Sequence, residues 1–577
     1  MASAAHSRSS QEDQLSLSQE STLALQEVSL DHEKIPASNI NASIHSSIQE
    51  KDLESGAAPG PSVPVRGGGN VTLPRRQLIP IMIGLMLAIF LSSLDQTIVS
   101  TALPTIASQF NSLNNVSWVA TSYLLTSTAF QPLYGKFSDI FGRKAILLFA
   151  VGVFTLGSIL CGAAQSMVML IVCRALAGLG GGGIMSIAMI IVSDIVSLRD
   201  RGKYQGFFGG AFALSSVLGP LLGGVFTDHA SWRWAFYINI PIAAITILTT
   251  IFFLRLPVPK GSLKEKLRRI DYVGTVLLIG AVVLLLLATN WGGSTYPWNS
   301  GPIIGCYIGG GVLAIGFIIV EGWFAREPIA PGRFFRMRDV IINFLALFFL
   351  GMSFFGLIFY LPMFFQVLRG DSATIAGLET LPFIGGLLVA SIGGGFLVSK
   401  TGMAKPFMII GAAFLILGTG LLSSLDVNSN RGKQLGYQVF AGLGIGFVLQ
   451  TATVAVQAAV DIKDMASATA LLTFFRSIGG VVGIAIVGAI FNNKLSSGII
   501  ARLPSLPLED IEKLVNSVEA IHQSPPDVRD AAILAYMEAF HLVYTICIPF
   551  AGIAFLLFLG LRSNKIAKNT PPPPITE

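Results

Sequence analysis

Between Leu78 and Leu561 the chain alternates long apolar runs with short polar breaks, and that alternation is its dominant pattern. Each run is close to the ~20 residues that an α-helix needs to cross the hydrocarbon core of a bilayer, and about fourteen are legible. They predict helices near 78–101, 116–134, 145–163, 167–192, 205–226 and 233–254. A further eight follow near 272–290, 302–322, 340–362, 375–398, 406–425, 436–456, 468–491 and 540–561. The fold class implied is all-α and polytopic.

The basic residues test this count independently. With the N-terminus in the cytosol, Arg75 and Arg76, Arg143 and Lys144, Arg199, Arg201 and Lys203, the 260–269 linker, the 326–338 linker, Lys400 and Lys405, and the 562–568 stretch all fall inside. The opposite loops, 102–115 and 290–301, hold no Lys or Arg. This is the positive-inside distribution, and one helix more or fewer would destroy it. Both termini are therefore expected in the cytosol. Residues 1–76 read as a disordered tail rich in Ser, Gln, Glu, Gly and Pro, without the basic start and short apolar core of a secretory signal.

Two patterns recur at matching places in the two halves. Gly135 and Gly142 have counterparts in Gly395 and Gly402, with Ser399 where Asp139 stands, and AGLGGG at 177–182 returns as AGLGIG at 441–446. In register, they argue for duplicated bundles, 77–255 and 339–562, with two helices inserted in 256–338, an outer segment at 492–539 and a cytosolic tail at 563–577. Substrate is then expected near the midplane between the halves. In the outer segment Ile511, Leu514, Val515 and Val518 have helical spacing, as for an amphipathic helix or a covering loop.

Composition narrows the function by exclusion. Only 12% of the 577 residues are charged, about half the share usual in soluble domains. The net charge of +6 is spread over loops, so no nucleic-acid partner is implied. Cys161, Cys173, Cys306 and Cys547 all lie in apolar runs and read as packing residues. The histidines, at 6, 32, 45, 229, 522 and 541, have no metal-ligand spacing, and no paired catalytic carboxylates occur. Neither an enzyme nor a metal or cofactor site is expected. Sequons begin at Asn41, Asn70 and Asn115; only Asn115 falls on a predicted outer loop, where glycosylation is possible.

Several polar residues interrupt the apolar runs. Asp95 lies within the first helix, where an ionised carboxylate costs ~2.5–3.5 kcal/mol on insertion scales, so it must face a cavity or a partner. There it either takes and releases a proton or caps backbone groups. Arg174 in the fourth helix keeps its charge and can hold or orient a carboxylate. The polar break YGKFSDIFGRKAI, 134–146, sets Asp139, Arg143 and Lys144 at one corner between Gly135 and Gly142. In SSVLGPLLGG, 215–224, Pro220 withdraws an amide donor while Gly219, Gly223 and Gly224 leave a bare face, predicting a bend and close packing. In the second half, Glu379, Gln438 (at the repeat position of Arg174) and Arg476 are candidates for a substrate cavity; Glu379 suits either a cationic substrate or a hydrated edge.

Together, Asp95 to Pro104, the Gly135 to Lys144 loop, Arg174 with Gly178, the Gly219, Pro220, Gly223 and Gly224 set, and WRWAFYINIP at 232–241 resemble the fourteen-helix drug:proton antiporter subfamily of the major facilitator superfamily, over roughly 78–561. The resemblance implies the major facilitator fold and efflux of amphipathic drugs, toxins or secondary metabolites against a proton gradient, in the manner of fungal pumps. It implies proton coupling by Asp95 and Arg174, a conformational latch of Gly135, Asp139, Gly142, Arg143 and Lys144, and an exporter bend at Gly219 and Pro220. It further implies a monomer in the plasma membrane, or in the vacuolar membrane, with small-molecule substrate, protons and lipid as partners. Ala177 departs from the glutamine frequent there. Two alternatives stand: an inward permease for basic amino acids or metal chelates, and a transport-inactive sensor.

Overall fold

The computed structural model describes residues 75–563 apart from 111, 113–115, 199, 294–295 and 517. Asn41, Asn70, Asn115 and the two predicted tails outside this range lie beyond the described residues. The described chain is helical, with one isolated bridge between Gly292 and Tyr296.

The long helices are α1 (Arg75–Gln109), α2 (Val116–Phe141), α3 (Arg143–Gly162), α4 (Met167–Ile195), α5 (Arg201–His229) and α6 (Asn239–Phe253). They continue as α7 (Tyr272–Trp291), α8 (Gly301–Ile319), α9 (Arg338–Arg369), α10 (Leu381–Thr401), α11 (Lys405–Ser423), α12 (Arg431–Ala459), α13 (Met465–Arg502) and α14 (Pro526–Leu559). Thirteen candidate membrane spans arise from these by length and hydropathy; α2 falls short, because Ser, Thr, Gln and Asp interrupt its apolar residues. Enclosure by α4 and α13 lets it keep those polar positions at membrane depth. By contrast α8 buries only Ile303 and Gly310 and turns Ile304, Ile308, Val312 and Ile315 outward, as a helix on the lipid boundary does.

The duplication is visible atom by atom. A Cβ on Gly178 or Gly182 of α4 would run into the carbonyl oxygens of Tyr123 or Ser127 on α2, and on Gly442 or Gly446 of α12 into those of Phe383 or Leu387 on α10. On the opposite face, Gly157 of α3 abuts the backbone of Ala177 as Gly418 of α11 abuts Ala441. The repeated AGLG sequences are thus two copies of one helix packed on both sides at backbone contact.

The same correspondence joins the halves. Gly135 of α2 lies on the start of α13 at Ala466 and Ser467, and Gly395 of α10 lies on the start of α5 at Gly202. The bundles therefore meet closely on the side that bears the 135–144 motif. Here the structure corrects the polar break expected over 134–146: Gly135 lies within α2 and serves contact, while only Gly142 turns the chain, at φ +98°, as Gly402 does at +73°.

The outer segment also differs. An outer segment over 492–539, with an amphipathic helix or a covering loop, was expected where hydrophobicity stops, but α13 continues to Arg502 and α14 begins at Pro526. Both helices run on beyond their apolar runs, tied by Arg502 and Lys494 to Glu538 at 2.5 and 3.2 Å. Ile511 and Leu514, in the short helix Leu508–Asn516, are buried against this stalk, and the Tyr536 hydroxyl donates to the Leu514 carbonyl at 2.9 Å.

Replacing Gly442 by Ala forces α10 and α12 apart and should cost about 1–3 kcal/mol. Gly420→Ala, where nothing lies within 4 Å of a Cβ, should be neutral. Yield and thermal stability of the detergent-purified chain, measured by size-exclusion fluorescence, separate the two outcomes.

Candidate functional site

α1, α4 and α6 converge on one buried ion pair. Asp95 is 0% exposed and Arg174 2%. Arg174 Nη1 donates to Asp95 Oδ2, and Asn239 Nδ2 donates to Asp95 Oδ1 at 3.0 Å, so both carboxylate oxygens are occupied. The Arg174 Nε donates to the Val119 carbonyl at 3.0 Å, and the guanidinium lies 4.5 Å from the Tyr123 ring centroid. Tyr123 in turn shares a 3.0 Å hydrogen bond with Ser92, and Asn239 also reaches Ser158 at 3.2 Å. A charge pair at such depth survives only when geometry and further hydrogen bonds offset its desolvation, and five helices supply them here.

Asn239, Ser158 and Tyr123 were not singled out in the sequence. Asn239 was the findable one, as the lone carboxamide in an otherwise apolar helix. At the Ala177 departure the helix is in close contact with α3, where a Cβ on Gly157 would strike the Ala177 backbone. Gln438 occupies the position equivalent to Arg174, donating to the Glu379 carbonyl at 3.0 Å as Arg174 donates to Val119.

The second constellation lies on α4 as well, twenty residues from Arg174, or about 30 Å along the axis. Arg143 Nη1 donates to Asp139 Oδ1 at 2.5 Å and to Ser138 Oγ at 2.9 Å, while its Nε donates to Asp194 Oδ2 at 2.8 Å. One guanidinium thus ties the ends of α2, α3 and α4 together. Lys144 stands apart from this corner, contrary to expectation: its ammonium caps the end of α6 at the Ile251 carbonyl, 2.7 Å away. Asp194, and Lys136 with Glu327, were missed. Lys136 and Arg269 both reach Glu327, at 3.0 and 2.6 Å, joining α2 to the linkers flanking the inserted helices. Burial alone would raise the Glu327 carboxyl, but these hydrogen bonds outweigh it and hold it below its ordinary value.

Gly219 and Gly223 make a seam between α5 and α1, where a Cβ would strike Thr97 and Thr101 and the Ile98 backbone. Thr97 Oγ1 reaches across to the Ser215 carbonyl at 3.0 Å. Pro220 lies inside α5, 3.9 Å from the Cβ position of Gly377, and Gly224 is half-buried one turn further on. Arg233 donates to the Gly162 and Ala164 carbonyls at 2.9 and 2.7 Å, fastening the α5–α6 corner to the end of α3.

Glu379 is no free acid at a substrate cavity. It is 5% exposed, paired with Arg431 at 2.5 Å and with Arg369 at 3.9 Å. Arg476 has no ion pair among the described residues, and its Nε is buried without a partner. A largely apolar cleft of about 330 Å³ opens between α2, α7, α9 and α13, lined by Leu124, Leu125, Leu286, Phe359, Val481 and Ile484 among others. It includes none of Glu379, Gln438 and Arg476.

The sequence profile of the Major Facilitator Superfamily matches residues 85–484. The chain is 36% identical over 494 residues to "MFS-type efflux pump MFS1" of Arthroderma benhamiae, covering 85% of this chain and 92% of that protein. It is 39% identical over 493 residues to "Efflux pump aunC" of Aspergillus niger, covering 85% and 93%. With "Efflux pump bfoC" of Aspergillus brasiliensis it shares 37% over 535 residues, covering 92% and 94%. The crystal structure of the human organic anion transporter MFSD10 (TETRAN) superimposes with a TM-score of 0.52 at 15% identity, over 84% of this chain and 99% of that one, a likeness of fold alone. Its helices, its duplicated bundles and these matches place the chain in the Major Facilitator Superfamily.

Proposed function

We propose that this multi-pass membrane protein is a proton-coupled efflux transporter for amphipathic organic compounds. The observation that carries the reading is the Asp95–Arg174 pair, a carboxylate at membrane depth that is fully hydrogen-bonded when charged. Protonation of Asp95 removes the partner of a cation that cannot itself lose charge, so arrival and departure of a proton alternately break and remake the contact joining α1, α4 and α6. Three relatives described as efflux pumps support outward transport. The proton gradient is the driving force, with no cofactor: one charge crossing 100 mV carries about 2.3 kcal/mol, and one pH unit adds about 1.4 kcal/mol. The apolar cleft suits an amphipathic cargo better than a polar nutrient.

In this reading the protein works as a monomer in the plasma membrane, with both termini in the cytosol. The Asp139–Arg143–Asp194 corner and the glycine contacts at Gly135 and Gly395 then close the cytosolic side. The bare seam of Gly219 and Gly223 keeps α1 and α5 in leak-free contact while Pro220 weakens the helix ladder beside it.

Asp95→Asn should abolish pH-driven export from intact cells while leaving amount and membrane insertion unchanged. Undiminished efflux by this variant overturns the role of Asp95. Lower intracellular compound in cells lacking the protein would make it an importer.

Arg174→Ala strands a buried carboxylate and should destabilise the fold by about 3–5 kcal/mol. In the double variant Asp95→Asn/Arg174→Gln no charge remains, so much of that loss should return. Thermal unfolding of the three purified variants tests the coupling.

Asp139→Asn leaves Arg143 with Asp194, so it should slow turnover and shift the population only partly toward the cytosol-open state. Combined with Asp194→Asn the shift should be larger, with substrate affinity nearly constant. Cysteine-accessibility labelling on both faces measures it; weakened binding with unchanged labelling would exclude the latch.

A further inference from the structure

α5, α12 and α13, drawn from both halves, enclose polar groups with positive charge and no carboxylate of their own. On α13, Thr469, Thr473 and Arg476 share one face by their spacing. Thr469 Oγ1 accepts from Gln457 Nε2 of α12 at 3.1 Å, and Gln457 Oε1 lies 3.5 Å from Nη1 of Arg201 on α5. Gln205 follows one turn after Arg201, and Gln450 stands two turns from Gln457 on the same face of α12. Arg201 is 4% exposed, and its remaining contacts are the Val196 carbonyl at 3.2 Å and Met465 Sδ at 2.9 Å.

The acids at the rim of this region are already committed, Asp194 to Arg143 and Asp464 to Arg333. Four atoms on these three helices are buried with no hydrogen-bond partner among the described residues: both amide atoms of Gln205, Gln450 Oε1 and Arg476 Nε. Arg476 is eleven residues into α13, about 16 Å from its start and so at the middle of a bilayer whose core is about 30 Å thick. An unpaired guanidinium at that depth is costly to keep and marks a site whose counter-charge arrives from outside the chain. A carboxylate or acidic phenol meets the guanidinium fork with two parallel hydrogen bonds, and the orphan amides offer further donors and acceptors. The apolar cleft takes in Val481, five residues further along α13, and supplies apolar surface within reach of the body of such a molecule.

Building on the efflux reading above, we propose that Arg476, with Arg201 toward the cytosolic start of α5, binds the anionic group of the cargo, so that the exported compounds are amphipathic acids. Pyrenebutyrate and its methyl ester are a matched acid and neutral pair. Binding of each to the purified full-length chain is measured by fluorescence, and their transport in inside-out vesicles with an acidic lumen. The acid should bind and be pumped in preference to the ester. Arg476→Gln should weaken binding and raise KM for the acid by about tenfold or more, leave the ester within about twofold, and be rescued only in part by Arg476→Lys, which keeps the charge and loses the fork.

Binding of the acid without pumping would refute efflux and uphold the anion site. Pumping of the ester with no binding of the acid would refute the anion site and uphold efflux. Equal loss for both probes in Arg476→Gln would reduce Arg476 to a structural role and overturn the proposal, as would failure of the wild-type chain to prefer the acid.

Discussion

Lipid gives two apolar helices no hydrophobic reason to associate, so the bundle must cohere through close packing and through hydrogen bonds between helices. In this protein that constraint is met by glycine at the points of nearest approach. α4 and α12 each touch one neighbour on either side at backbone distance, through Gly178, Gly180 and Gly182 in one half and Gly442, Gly444 and Gly446 in the other. Everything polar in the interior is held in register by these contacts. They set Arg174 under the Val119 carbonyl, and Gln438 under that of Glu379.

With the helices fixed, charge is the second constraint. The N-terminal half buries an arginine together with its acid, and the pair is neutral and satisfied. In the C-terminal half the equivalent of Arg174 is the neutral Gln438, while Glu379 is drawn to Arg431 and Arg369 near the helix ends. The duplication has thus kept the packing and let the electrostatics diverge.

The two sides of the membrane are also built differently. Toward the 135–144 motif the halves touch through Gly135 and Gly395, and Arg143 binds three helix ends at once. Away from it, α13 and α14 extend as a stalk held by Glu538 and covered by the short helix that buries Ile511 and Leu514. On the motif side the halves also meet through side chains, Arg201 reaching Met465 at 2.9 Å and Ser399 reaching Asp200 at 3.0 Å.

The sequence by itself determined the number and order of helices, the duplication and several of the interior charges, because hydrocarbon imposes length and polarity on each segment separately; Arg201, read as a cytosolic loop residue, is buried. Asp95, Arg174, Asp139 and Arg143 stood out for that reason: a charge in an apolar run has no local explanation. What only the tertiary structure decided is which groups meet. Asn239 completes the Asp95 site from a helix 144 residues away, and Asp194 takes half of Arg143 from 51 residues away. Lys144 leaves that corner for a carbonyl, and Glu379 is consumed by two arginines. The helix ends beyond the bilayer were misread because solvated helix and loop share the same polar composition. Partner choice is a property of the packed bundle, since helical spacing fixes the face on which a residue lies but not the helix that faces it.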